Sequence, residues 1–103
     1  RPIMSQEMRL KLTLWNENAE TPLHLSALAP KDGWQSAPPN RIEAGETVVC
    51  EITAANTLAI TLNYGTHHIG IHLDDDSFSI EPGTARVDRQ KLDGDLAEVS
   101  LAL

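Results

Sequence analysis

The chain has 103 residues, 41 % of them apolar, and fifteen acidic against eight basic side chains give a net charge of −7. That length suits one domain with a single core, and the apolar fraction excludes a disordered acidic chain. The charge excludes a non-specific nucleic-acid binder, which needs a cationic surface to displace counterions, and it disfavours docking on anionic membranes.

The opening residues "RPIMSQEM" have no apolar h-region, so no signal peptide is expected. Arg1 is no translation start, and residues 1–3 read as a tag remnant ahead of Met4. Residues 1–103 are expected to form one domain. No run approaches 18 apolar residues, so no transmembrane segment is expected.

The first ordered signal is "EMRLKLTLW". Met8, Leu10, Leu12 and Leu14 alternate with Arg9, Lys11 and Thr13, which marks a half-buried strand. "LHLSAL" (23–28) is a shorter candidate. A segment with Pro30, Pro38 and Pro39 follows and reads as a loop around Trp34. "TVVCEIT" (47–53) and "TLAITLNY" (57–64) resume the alternation. "HIGIHL" (68–73), "FSI" (78–80), "ARVDR" (85–89) and "VSLAL" (99–103) complete it. Turn chemistry separates these runs at "NENAETP", "EAGE", "YGT", "DDDS", "EPGT" and "DGD". Eight short strands without a helix predict an all-β fold, an antiparallel β-sandwich.

The last hairpin has two candidate registers. A three-residue "DGD" loop sets Leu92 opposite Leu96, Val87 opposite Leu101 and Ala85 opposite Leu103. A two-residue "DG" loop sets Val87 against Ser100. Apolar pairing favours the first.

Candidates for chemistry are few. His68 and His72 share a strand face but stand about 13 Å apart, too far for one metal ion. His67 has the phase of Ile69 and Ile71 and belongs at the core edge. Asp74 and Asp76, or Asp93 and Asp95, are weak candidates for a calcium site, without an EF-hand pattern. Both pairs lie where turns are needed, and solvated turns are the plainer reading. Cys50 has the phase of Val48 and Ile52, which makes it a small buried hydrophobe rather than a nucleophile. A lone cysteine forms no intramolecular disulfide. No nucleophile elbow, HExxH or phosphate loop occurs. A non-enzyme without cofactor is expected.

Trp15 and Trp34 remain. Trp15 follows Leu14 and falls out of phase with the core face. Trp34 follows Gly33. It either caps one end of the sandwich beneath "APP", or stands exposed to dock a sugar ring, a lipid head group or a protein.

The stretch from Asn16 to Val48, with Asn16 or Asn18, Leu23 and Leu25, Gly33-Trp34, and Ile42 with Gly45, resembles the first half of the aegerolysins, and more distantly the actinoporin-like sandwiches. The resemblance covers about a third of the chain. It implies a β-sandwich that binds membrane lipid through exposed aromatics, with Trp34, Trp15 and Gly33 as contacts. The expected function is therefore a non-catalytic module for membrane lipid. A carbohydrate-binding module is the first alternative. A protein-interaction or assembly sandwich is the second, with edge strands such as residues 8–14 pairing to another chain.

Overall fold

A computed structural model describes residues 8–55, 57–74 and 77–103. They form two five-stranded sheets packed face to face. The strands are β1 (Met8–Trp15), β2 (Leu23–Ala29), β3 (Trp34–Ser36), β4 (Arg41–Ile42), β5 (Thr47–Ala54), β6 (Leu58–Tyr64), β7 (His67–Leu73), β8 (Phe78–Glu81), β9 (Arg86–Asp93) and β10 (Leu96–Ala102). The first sheet has the order β3-β5-β1-β10-β9, and the second β4-β2-β6-β7-β8. All pairings are antiparallel except β1 with β10. No helix occurs among the described residues, so none is long and apolar enough to cross a membrane.

The alternation builds the core directly. Leu10, Leu12 and Leu14 of β1 are fully buried. They face Leu58, Ile60, Leu62 and Tyr64 of β6, and Ile69, Ile71 and Leu73 of β7, within one buried cluster. Each buried aliphatic side chain contributes about 1.5–3 kcal/mol by leaving water.

Cys50 lies opposite Leu12 and is fully buried. Desolvation pushes its thiol up to about 12. Burial pushes the Tyr64 phenol up as well, with a smaller effect from Cys50. In the fold both groups keep protons that an unfolded chain loses from pH 9 and 10 upward. Stability is thus full below pH 9 and declines as pH rises from there toward 12. Urea midpoints measured across that range should fall, and Ellman's reagent should leave Cys50 untouched until the chain unfolds. A midpoint that holds steady to pH 12 would contradict the buried pair.

Three expectations change. Residues 8–14 are not an edge: β1 is the central strand of its sheet, paired on both sides. The long edge is β9, whose sequence RVDRQKLD carries charges at Arg86, Asp88, Arg89, Lys91 and Asp93 and a bulge beside Val87. Charge and bulging both discourage pairing with another chain. Second, the proline-rich segment is not one loop. It contributes β3 to one sheet and β4 to the other, which raises the strand count to ten.

Third, the last hairpin takes neither expected register at its turn. Asp93 pairs with Leu96 around Gly94-Asp95, so Leu92 meets Ala97 rather than Leu96. The bulge then restores the expected Val87–Leu101 pair. Leu92 stays 49 % exposed on β9, an edge strand of its sheet. Below it, Gln90 faces inward and its Nε2 donates to the Phe78 carbonyl of β8, 3.2 Å away, closing that side of the sandwich.

Candidate functional site

Trp34 opens β3 instead of standing in a loop. It pairs with Ile52, whose side chain points into the core, and its ring packs half-buried on that core. Its indole N–H donates to the Pro30 carbonyl at 2.7 Å. The segment from β2 through β3 to β4 crosses from the second sheet to the first and back, so Trp34 plugs the seam between them. Prolines suit this position because edge segments owe no ladder N–H on their open side. Gly33 serves the same crossing. Its φ is +93°, its carbonyl accepts the Thr53 N–H at 3.2 Å, and an added Cβ would lie 3.2 Å from the Thr53 carbonyl oxygen.

Trp15 lies on the outer face of the first sheet and is 38 % exposed. It stands in register with Thr47 and Ala102. Val49, 46 % exposed, is its diagonal neighbour through the Thr13–Val49 pair. One step further along the strands the same face becomes a row of alternating charge: Glu51, Lys11, Glu98 and Lys91 pair in sequence. Arg86, in register with Ala102, borders Trp15's end of the face and bonds Asp88 and Glu17. At this end of the face the exposed apolar side chains Trp15 and Val49 thus form a small patch within polar and charged neighbours.

Asn16, next in sequence, is fully buried and was not among the sequence candidates except as a family landmark. Its Nδ2 donates to the carbonyls of Thr21 (2.8 Å), Glu43 (3.1 Å) and, more weakly, Ile42 (3.4 Å). Its Oδ1 accepts the Asn18 N–H at 3.1 Å. This side chain holds the end of β1 against the chain that enters and leaves β4.

Of the acidic candidates, Asp74 and Asp95 lie between strands and Asp93 ends β9. Asp74 Oδ1 accepts from the Ser77 backbone N–H at 2.7 Å and from its hydroxyl at 3.2 Å, and Oδ2 meets His72 Nε2 at 2.9 Å. Asp76 lies outside the described residues. Asp93 and Asp95 belong to the β9–β10 hairpin, where the Asp95 carbonyl accepts the Arg9 N–H at 2.9 Å. Among the described residues no three His, Cys, Asp or Glu side chains are placed to hold a metal ion. His67 sits half-buried, and desolvation holds its imidazole below the usual range. Its Nδ1 meets Thr84 Oγ1 at 2.8 Å, which ties the 82–85 turn to β7.

The outer face of the second sheet holds an open trough of about 200 Å3. Ala59, Thr61, Gly70 and Ser79 form its small-residue floor, with His72 and Glu81 at its rim. A second depression continues past Gly70 toward Asn63 and His68. The sequence signal for this feature is the glycine inside "HIGIHL", since a strand-interior glycine often marks a close approach by another group.

No protein-family model matches the chain, and no curated protein matches it.

Proposed function

We propose that this chain is a non-catalytic binding module that meets membrane lipid through the Trp15 end of its first sheet. The observation that carries the reading is the pairing of exposed Trp15 with exposed Val49 on one outer face. The Trp15 indole N–H donates to none of the described residues, so the ring offers both an apolar face and a donor to a partner. Tryptophan with that combination favours the boundary between hydrocarbon and head groups. The likeness of residues 16–48 to the aegerolysins points to the same ligand class. Trp34 supports the module from beneath, since its N–H is already engaged and its ring packs on the core. Net charge of −7 directs the choice toward zwitterionic lipid.

The test is co-sedimentation with vesicles of sphingomyelin and phosphatidylcholine. Burying the Trp15 ring contributes ~2 kcal/mol, so Trp15→Ala should weaken retention about thirtyfold. Trp34→Phe keeps the plug aromatic and leaves Trp15 as the sole tryptophan, whose emission should shift to the blue on binding. Vesicles that fail to retain the protein, or retain the Trp15→Ala variant equally well, would reject this function.

A further inference from the structure

We infer that the trough over Gly70 is a second binding site, one that takes a lysine side chain presented by a partner polypeptide. Gly70 is the first reason. It lies in the middle of β7, paired with Thr61 on one side and Glu81 on the other. Its backbone does not require glycine: φ is not in the left-handed region, and an added Cβ would lie 3.7 Å from the Glu81 Cβ, an ordinary contact. Glycine in a strand interior is unfavourable by roughly 0.5–1 kcal/mol relative to alanine. What it leaves here is open floor.

Glu81 is the second reason. Its carboxylate leans over that floor, with Oε2 3.8 Å from where a Gly70 Cβ would stand. Among the described residues no lysine or arginine pairs with it. The outer-face cation that the second sheet does carry, Arg41, is on β4 at the opposite edge, about 19 Å away across four strand spacings. Arg41 is already bound to Glu43 at 2.7 Å. The chain's net charge of −7 adds a long-range attraction for cations.

The shape selects the ligand. Ala59, Thr61 and Gly70 offer a bed of small side chains that leaves room for the methylene stem of a lysine, with its ammonium at Glu81. The trough is too shallow to enclose a free small molecule, and enclosed sites hide most of a ligand's surface. A side chain delivered by a folded or extended partner needs no such enclosure. This site lies on the opposite sheet from Trp15 and stands or fails independently of the lipid reading.

The test is an amide-shift titration by NMR with the peptide N-acetyl-Gly-Lys-Gly-amide, its acetyl-lysine counterpart, and n-butylammonium. The lysine peptide should move the amides of Thr61, Gly70 and Glu81 first, and the acetyl-lysine peptide should not. Glu81→Gln, an exposed change that leaves the fold intact, should weaken binding about tenfold, as expected for losing a charge-assisted hydrogen bond. Gly70→Val should fill the floor and abolish the shifts while the spectrum stays dispersed. Equal binding by Glu81→Gln, or shifts that centre elsewhere, would overturn the site. Binding of n-butylammonium as tight as that of the peptide would overturn the partner-borne lysine in favour of a free amine.

Discussion

Replacing Asn16 with alanine should lower stability by ~3 kcal/mol and the melting temperature by about 15 °C, with the folded structure otherwise retained. The side chain is fully buried and supplies hydrogen bonds to two well-placed carbonyls, those of Thr21 and Glu43, plus one longer contact to Ile42. An amide nitrogen has two N–H groups, so the Ile42 contact is the shared one. Alanine leaves these acceptors and the Asn18 N–H without their partner, and each unsatisfied buried group costs about 1–3 kcal/mol. Asn16→Asp separates polarity from size. It keeps the shape but turns a charged acceptor oxygen, in place of the amide donor, toward carbonyl oxygens, so it should destabilise more than alanine at neutral pH. Those carbonyls raise the new carboxyl's folded pKa above its unfolded value of about 3.9. Its penalty is therefore present above that unfolded value and fades as pH falls toward it. Thermal melts of both variants from neutral to acid pH decide the matter. Parallel curves would mean that Asn16 is a space filler.

Asn16 also shows where sequence reading stops. The alternation of Leu10, Leu12 and Leu14 reports which face of a strand meets oil, because side chains on a strand point to opposite sides in turn. The same period revealed β6, β7 and β10. It cannot report which strand lies beside which. Residues 8–14 look the same as an edge or as a centre, and only the pairing of β1 with β5 and β10 makes them central. Strands of two and three residues, such as β4 and β3, contain less than two periods and give no signal. The last hairpin failed for another reason: apolar pairing was correct at Val87 and Leu101, but a bulge between Ser100 and Leu101 let the turn itself take a different register.

The residues that carry the aegerolysin likeness have identifiable structural work. Asn16 anchors a strand end, Ile42 fills the core, and Gly33 and Gly45 take positive φ at crossings. Any sandwich that sends its chain from sheet to sheet in this order needs such residues, so the motif speaks first to backbone path. The surface groups, by contrast, were legible one at a time and not together. Trp15 was visibly out of phase with the core, but its neighbour Val49 sits 34 positions later and joins it only through the Thr13–Val49 register. Glu81 and Gly70 are likewise brought together by strand pairing alone.

Gly83 should be the least replaceable glycine. Gly83→Ala should cost ~3 kcal/mol or more, whereas Gly94→Ala should cost only ~1 kcal/mol. Both residues have φ of +61°, so both variants incur the same left-handed backbone penalty. They differ in what surrounds them. An added Cβ at Gly94 meets nothing within 4 Å, but at Gly83 it would lie 2.6 Å from the His68 carbonyl oxygen. That oxygen belongs to the β7 backbone and cannot swing aside as a side chain would. The 82–85 turn must lift instead, breaking the contact of Thr84 Oγ1 with His67 Nδ1. Melting temperatures should drop by about 15 °C or more for Gly83→Ala and about 5 °C for Gly94→Ala. Equal drops would mean the turn does not press on β7. Because Glu81 directly precedes this turn, lifting it also displaces the carboxylate over Gly70, and Gly83→Ala should weaken lysine-peptide binding while Gly94→Ala leaves it unchanged.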